Sequence, residues 1–347
     1  MPNAGFRASG SILVLGLALW SASAQAQAIE EFYKGKRIDF IVSTAAGAPY
    51  DVWARAIGRH MGRHIPGNPT FVVKNMPGGG HTIATNFLYN EAARDGSVVA
   101  MVSRNMPTQE LLENPAVRFK SANLNWIGAS EAGNRVCVIA GTAKVQKADD
   151  LLKEEAVFGG TGAGSGGVTT PTLLSKLFGM KFKVVGGYTG TPDIFLAMAR
   201  GEVEGVCQNL DGVESNHPGS IEQGKLRVLF NLEKRPISGI PGISAPSIHA
   251  FAKTEEERQI LSFYNSNTEL GWPVMTAPDV PPDRLNALRR GYDATMKDPE
   301  FLDEAGKLGL RIVPITGEET AAIARAIAGT PKTVVDKTIG IVGAITE

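Results

Sequence analysis

The sequence predicts an α/β protein of two lobes, each with a mostly parallel sheet flanked by helices. Short apolar strands alternate with helical stretches along most of the chain, which is typical of parallel strands joined by crossover helices. Loops rich in small residues follow several of these strands. The alternation breaks near residues 126–133 and then resumes, so we place a lobe boundary there.

The first series begins with a continuous apolar strand, Ile38–Val42, a loop of small residues and a helix from about Asp51. The helix carries apolar residues on one face and arginines on the other, as expected for an amphipathic helix packed on a sheet. The pattern then repeats as a strand, a glycine loop, a helix and a strand, at 71–73, 77–80, 81–93 and 98–102.

The second series has the same order of elements. Its predicted strands are 135–140, 157–161, 182–188, 203–208 and 226–232, and its helices are 148–155, a stretch through 173–178, one from Thr191, and 254–263. Residues 270–276 are predicted to be extended, and residues 281–306 and 318 onward to be helices that pack back on the first lobe. The predicted lobes are therefore 29–128 with 267–347, and 129–266.

Composition excludes several classes of protein. The chain of 347 residues has 35 basic and 35 acidic residues, so it lacks the bulk positive charge of many nucleic-acid-binding proteins. With 43% hydrophobic and 20% charged residues it is not a disordered chain. Two cysteines and five histidines without metal-binding spacing predict no metal site, and we expect no cofactor and no nucleic-acid partner.

The N-terminus has the layout of a secretory signal. Arg7 precedes the apolar run Ile12–Trp20, and small residues follow up to Ala28. The run is too short to span a bilayer, which needs about 20 residues. We therefore predict a signal peptide over 1–28, cleaved after Ala26 or Ala28, and a periplasmic location for the mature protein.

The segment 161–167 partly matches two known sequence motifs, one for a cofactor and one for catalysis. Gly162, Gly164 and Gly167 fit the glycine pattern of dinucleotide-binding loops, but the next strand lacks the acidic residue that would bind the ribose. The sequence around Ser165 differs from the nucleophile-elbow motif Gly-x-Ser-x-Gly by one residue, since the first glycine is missing. Asp211 and His249 follow it in the order of an α/β-hydrolase. A secreted serine hydrolase that uses Ser165 is therefore the alternative function.

The small-residue loops give the main functional prediction. The loops at 43–51, 77–81, 103–106 and 161–167 follow strands, where open α/β sheets bind ligands. Two of them lead into helix N-termini, whose backbone amides have no partner within the helix and carry partial positive charge. Small side chains let a ligand approach these amides. The sequence thus predicts a carboxylate site that needs no arginine or lysine.

Six short motifs occur in the order found in one family of receptors. They are the lead into the first strand at 32–38, the loop and helix start at 45–55, the Val-x-Asn-x-Pro-Gly stretch at 72–80, the Gly-x-Gly loop at 162–166, the Tyr-x-Gly turn at 188–190 and Gly-x-Val at 201–203. Through them the whole mature chain resembles the periplasmic solute receptors of tripartite tricarboxylate transporters, also called Bug proteins. One departure is that the proline- and glycine-rich first loop of the family reads Ala45-Ala46-Gly47-Ala48-Pro49-Tyr50 here, which would place the ring and hydroxyl of Tyr50 at the cleft.

The resemblance implies a type II periplasmic-binding fold whose two lobes close on a small carboxylated solute. It also implies a monomeric receptor, not an enzyme, that delivers the solute to membrane permease subunits driven by an ion gradient. The site residues that we predict from both lobes are Thr44, Ala45, Ala46, Gly47, Tyr50, Ser103 and Asn105 in lobe one, and Thr161, Gly164, Ser165, Gly166, Tyr188 and Asn209 in lobe two.

The fold implied by the resemblance also bears on the two cysteines. In that fold, the strand that enters lobe two lies antiparallel beside the third strand of the lobe. This arrangement would bring Cys137 close to Cys207. Export to an oxidising compartment then allows a disulfide between them. Two buried free cysteines, packed as small apolar residues, are the alternative.

Overall fold

The computed structural model of the chain describes residues 27–112, 115–130, 135–160, 165–188, 191–234, 237 and 243–343. The chain divides into two compact units. Of the described residues, unit 1 comprises those within 27–106, 115–130 and 272–322, and unit 2 those within 107–112, 135–271 and 323–343.

Strands and helices alternate in both units. The strands of the described residues are β1 (Arg37–Val42), β2 (Thr70–Asn75), β3 (Val98–Met101), β4 (Asn125–Ser130), β5 (Arg135–Ala140), β6 (Ala156–Gly159), β7 (Phe182–Val185), β8 (Gly205–Asn209), β9 (Leu226–Asn231), β10 (Trp272–Thr276) and β11 (Pro314–Thr316). The α-helices are α1 (27–33), α2 (Pro49–Met61), α3 (Thr82–Asn90), α4 (Met106–Leu111), α5 (Gly166–Phe178), α6 (Thr191–Ala199), α7 (Leu210–Asn216), α8 (Glu255–Leu270), α9 (Pro282–Thr295), α10 (Pro299–Lys307), α11 (Gly317–Ala328) and α12 (Lys332–Val342). The predicted helix at 148–155 is a short 3-10 helix, Ala148–Leu152.

Unit 1 contains a six-stranded sheet in the order β11-β4-β10-β3-β1-β2. β1 is parallel to both β2 and β3, while β10 runs antiparallel between β3 and β4. Val42 and Met101 are paired in register, so the loops that follow β1 and β3 leave the sheet side by side. The buried core under this sheet is built from β1, α1, α2 and α9, and it includes Ile38, Trp53 and Tyr292.

Unit 2 contains a five-stranded sheet in the order β7-β6-β8-β5-β9. β6 is parallel to β7 and β8, and β5 is inserted antiparallel between β8 and β9, as the resemblance implied. The mostly parallel sheets of the two units confirm the predicted fold class. Helix α5 is fixed to α8 by buried hydrogen bonds between Tyr264 Oη and the hydroxyls of Thr169, at 2.7 Å, and Thr170, at 2.8 Å.

The boundary region contains a strand that the sequence analysis missed. Residues 125–130 form β4, which lies between β10 and β11 in the sheet of unit 1. Trp126, Ile127 and Ala129 are buried there. Among the described residues only the short 3-10 helix 121–123 adjoins this segment, so the strand–helix alternation along the chain gave no sign of its place in the sheet.

The predicted lobe limits need one correction. Residues 267–347 were expected to return to lobe one, but the chain from Ile323 onward belongs to unit 2. The reason is apolar burial: Val334 and Val335 of α12 pack in the same core as Leu173 of α5 and Ile260 of α8. Lys337 of α12 also donates to Glu256 of α8, at 2.6 Å.

The helices have lengths typical of a globular α/β protein. The longest described helix, α8, has 16 residues. None of the described helices combines the length and the apolar character needed to cross a bilayer.

Candidate functional site

The loop between β1 and α2 presents backbone donors at the carboxyl end of the sheet. Within the described part of the chain, the amides of Thr44, Ala45 and Ala46 donate no hydrogen bond. Ala45 and Ala46 are exposed, and the Thr44 hydroxyl is buried without a described partner. The loop thus has three unpaired amides, which precede Ala48, the N-cap residue of a 13-residue helix.

Asp51, in the first turn of α2, holds this loop in place. Its carboxylate accepts hydrogen bonds from the Gly47 amide at 2.8 Å, from Arg55 Nε at 2.9 Å and from Asn75 Nδ2 at 2.8 Å. Burial raises the pKa of Asp51, but the bonds from Arg55, Gly47 and Asn75 outweigh it and lower the pKa to about 2. Asn75 Nδ2 also donates to the Thr44 carbonyl at 2.9 Å. The Gly47 amide is therefore already occupied by Asp51 and is not free to bind a ligand.

Tyr50 is part of a cluster of aromatic side chains. Only 6% exposed, its ring packs edge-on against Trp272 with a centroid distance of 4.9 Å, and Trp272 in turn stacks on Trp53 at 5.6 Å. The Tyr50 hydroxyl accepts a hydrogen bond from the amide of Arg104 at 3.2 Å. In unit 1 the Tyr50 ring therefore packs against Trp272, and its hydroxyl positions the loop after β3.

The loop after β3 carries the predicted Ser103 and Asn105 and a residue that the sequence analysis missed. Ser103 and Asn105 are buried, and Ser103 Oγ accepts from the Asn105 amide at 3.2 Å. The Asn105 Oδ1 atom is buried without a described partner. Between them, the guanidinium of Arg104 lies 5.4 Å from the ring centroid of Trp272, and its Nε and Nη1 atoms are buried without a described hydrogen-bond partner.

In unit 2, the N-terminus of α5 gives a second group of donors. Ser165 is the N-cap residue, its side chain does not cap the helix, and its hydroxyl is buried without a described partner. The amides of Gly166 and Gly167 donate no hydrogen bond to any described residue. The predicted Thr161 and Gly164 lie outside the described residues.

Glycines let the start of α5 approach the end of β6. A Cβ on Gly160 would lie 2.5 Å from Val168 Cγ2, and one on Gly167 would lie 3.1 Å from the Gly160 Cα. Side chains at these positions would force the helix away from the strand. The glycine-rich sequence here therefore serves close backbone packing, as well as leaving the Gly166 and Gly167 amides open.

Strand β5 contributes a second arginine that the sequence analysis did not place in the site. Arg135 begins β5 and is paired in register with Asn209, the exposed last residue of β8. A Cβ on Gly166 would lie 3.6 Å from the Arg135 guanidinium carbon, so this cation lies against the start of α5. Tyr188 is half-buried and packs beside the cluster that contains Ile194.

The two arginines change the predicted chemistry of the site. The loops were expected to bind an anion through amides alone. Arg104, however, lies on the loop after β3, whose strand end is paired with that of β1, and Arg135 lies against the start of α5. Arg104 was visible in the sequence between two predicted site residues. Arg135 was not, because only the antiparallel insertion of β5 brings the start of that strand to the carboxyl ends of its neighbours.

The structure joins Cys137 and Cys207 as a disulfide between β5 and β8. The two residues are directly opposite in register, with a Cα separation of 4.0 Å. Both lie two residues from the Arg135–Asn209 pair. The bond therefore fixes the strand end that carries these two residues.

The residues of the predicted hydrolase alternative are not hydrogen-bonded as a triad requires. Ser165 Oγ and His249 Nε2 are both buried without a described partner, so neither bonds to the other. Burial and nearby Lys234 lower the pKa of His249 and outweigh a hydrogen bond to the Leu232 backbone, which raises it. The described residues also contain no group of three or more His, Cys, Asp or Glu side chains that could hold a metal ion.

Comparison with known proteins relates the chain to solved structures. No protein-family model matches the chain, and no curated protein matches it. A TctC solute-binding protein from Polaromonas, solved without a ligand, is 20% identical with a TM-score of 0.68, over 88% of this chain and 99% of that one. The periplasmic binding protein BugD is 19% identical with a TM-score of 0.53, over 89% and 99%. Rpa4515 of R. palustris, solved with adipate, is 17% identical with a TM-score of 0.52, over 88% and 98%. The chain therefore has the fold of the TctC and Bug solute-binding proteins, as the six sequence motifs predicted.

Proposed function

We propose that the mature chain is a periplasmic receptor of the tripartite tricarboxylate transporter type, which binds a small carboxylated solute and delivers it to an ion-gradient-driven membrane permease. The observation that carries the proposal is the row of unpaired amides at Thr44, Ala45 and Ala46, next to the buried unpartnered hydroxyl of Thr44. Oriented amides at a helix N-terminus favour a bound anion. The proposed receptor is a monomer, works without a cofactor and is not an enzyme.

The second unit supports the same ligand chemistry. The amides of Gly166 and Gly167 and the hydroxyl of Ser165 lack described partners at the start of α5. Each unit thus presents donors suited to a carboxylate. The shared fold with TctC and Bug proteins supports a receptor, and the adipate found with Rpa4515 supports a carboxylate ligand.

A thermal-shift screen of the mature protein against carboxylic acids tests the proposal. A binding acid should raise the unfolding midpoint in a saturable way, by the equivalent of about 2.7 kcal/mol at 100 times its Kd. The matching amide should raise the midpoint far less, because hydrogen bonds to a charged group contribute about 1.5–3 kcal/mol each. Equal binding of acid and amide in calorimetry would contradict the proposal.

The serine hydrolase that uses Ser165 is the alternative, and one variant separates it from the receptor. In a receptor, Ser165→Ala should weaken binding of the acid by about 1 kcal/mol, through one lost hydrogen bond. In a hydrolase, the same change should abolish ester turnover. Ester hydrolysis by the wild type that disappears in Ser165→Ala would favour the enzyme and reject the receptor.

A further inference from the structure

We infer that Arg104 is the charged side chain of unit 1 that binds the carboxylate of the solute, and that Trp272 and Tyr50 position it. The inference rests on the proposed function and adds to it a residue that selects ligands by charge. Backbone amides alone can donate hydrogen bonds either to a carboxylate or to a neutral oxygen atom. A guanidinium beside them favours the anion, because it offers planar paired donors and a full positive charge.

Three contacts fix Arg104 at the carboxyl end of the sheet. Its amide donates to the Tyr50 hydroxyl at 3.2 Å, which holds the backbone of the loop after β3. Its guanidinium lies over Trp272, at 5.4 Å from the ring centroid, in a cation–π arrangement. Trp272 is itself held by stacking on Trp53, with an interplanar angle of 20°. The cation is therefore held from one side by aromatic rings.

The arginines of helix α2 and of the 3-10 turn after it, 62–64, show how guanidinium groups are paired elsewhere in this unit. Arg55 bonds to Asp51, Arg59 to Glu304, and Arg63 to Asp298 and Glu300. Arg104 has no ion pair among the described residues, and its Nε and Nη1 atoms are nevertheless buried. Burying a charged donor without a partner is unfavourable, so the folded protein leaves this cation available to an anion that it does not itself supply.

Two further unsatisfied polar atoms of unit 1 lie on the loops that follow β1 and β3. Val42 and Met101, the last residues of the adjacent strands β1 and β3, are paired in register. Thr44 and Ser103 each lie two residues beyond these strand ends. Thr44 Oγ1 and Asn105 Oδ1 are both buried without a described partner. An anion bound to Arg104 at this edge would have the free amides of Thr44–Ala46 and the Thr44 hydroxyl on the next loop as further donors.

Calorimetry with a matched pair of ligands tests the inference. The probe is whichever of succinate, adipate, citrate and benzoate binds the wild type most tightly, together with its amide. Arg104→Met should weaken the acid by about 10- to 100-fold and the amide by less than about 3-fold. Arg104→Lys, which keeps the charge and loses the planar donors, should give an intermediate loss for the acid.

Arg94→Met is the matched control, because Arg94 is an exposed arginine of the same unit that is paired to Asp279. It should leave the affinity for both ligands within about 2-fold of the wild type. Equal losses of acid and amide in Arg104→Met would mean that Arg104 only shapes the loop, and would overturn the inference, as would an unchanged affinity for the acid. If Arg104→Met does not fold, the comparison of acid and amide in Arg104→Lys decides in the same way. A wild type that binds none of the four acids would instead reject the proposed function itself.

Discussion

Asp51 is the residue on which the geometry of the first binding loop depends. Its carboxylate joins the Gly47 amide, Arg55 and Asn75, so its loss should release the loop that carries the free amides. Asp51→Asn should lower the free energy of unfolding at pH 7 by about 1–3 kcal/mol, since charge-assisted hydrogen bonds are replaced by weaker ones. Urea unfolding followed by tryptophan fluorescence measures this.

The effect of Asp51 should depend on pH. The pKa of Asp51 is about 2 in the folded protein, below its ordinary value of 3.8, so the unfolded chain binds the proton more tightly. The contribution of Asp51 to stability is thus complete above about pH 4–5 and is lost as the pH falls toward 2. The difference between wild type and Asp51→Asn should shrink from pH 7 to pH 3; an unchanged difference would contradict the assignment. Asp39→Asn, at an exposed ion pair with Lys74, is the control and should cost less than about 1 kcal/mol at pH 7.

Thr44 offers a test in which stability and binding should move in opposite directions. Its hydroxyl is buried without a described partner, which is unfavourable in the free protein. Thr44→Val keeps the shape and removes the hydroxyl, so the unfolding midpoint of the ligand-free protein should stay the same or rise. Affinity for the acid should fall by about 1 kcal/mol, measured by calorimetry. A variant that loses stability but keeps its affinity would assign the hydroxyl a structural role only.

At the scale of elements, the approach of α5 to β6 depends on a glycine pair. Gly160→Ala would place a Cβ 2.5 Å from Val168 Cγ2 and 3.1 Å from the Gly167 carbonyl carbon, so the start of α5 must shift. We expect a loss of about 1–3 kcal/mol in stability and a weaker affinity for the acid. Gly340→Ala is the matched control in α12, where nothing lies within 4 Å of the new Cβ. It should stabilise unit 2 by about 0.5–1 kcal/mol, and a destabilised control would show that space at the Cβ does not decide these effects.

The disulfide between β5 and β8 should stabilise unit 2 and the strand end that carries Arg135. It closes a separation of 70 residues, for which the chain-entropy model gives about 4 kcal/mol. Thiol titration of the denatured protein without reductant should find no free thiol. Two free thiols would show that the bond does not form.

The double variant Cys137→Ala, Cys207→Ala should unfold at a lower urea concentration than the wild type and bind the acid less tightly.

The elements that the sequence predicted well are those with a local signature. β1 and α2 follow from an apolar run, small residues and an amphipathic helix, and their observed limits are close to the predicted ones. β4 and β11 were missed because their places in the sheet come from pairing between residues far apart in the chain; β11 has only three residues. Arg135 was missed for the same reason, since its neighbour Asn209 is brought to it by strand pairing. Periodicity along the chain carries no record of such pairings.

At the scale of the whole molecule, the first and the last helix of the described residues belong to different units. Ile29 and Tyr33 of α1 are buried in the core of unit 1, and the Tyr33 hydroxyl donates to the Gly96 carbonyl at 3.1 Å. Both predicted cleavage sites, after Ala26 or Ala28, would leave these two residues in the mature protein. The C-terminal helix α12 packs in unit 2 instead, so the first and the last described helix lie in different cores.

This assignment of α12 predicts where a C-terminal truncation acts. Ending the chain at Thr330 removes Val334, Val335 and Val342 from the core that they share with α5 and α8. Each of the three buried valines contributes about 1.5–3 kcal/mol, so we expect unit 2 to lose roughly 4.5–9 kcal/mol. Hydrogen exchange should increase in α5 and α8 and remain unchanged in β1–β3, and the affinity for the acid should fall because α5 carries Ser165. A chain that ends at Gly343, with α12 intact, is the control. Faster exchange in β1–β3 with α5 protected would instead place the C-terminal residues in lobe one, as the sequence alone had suggested.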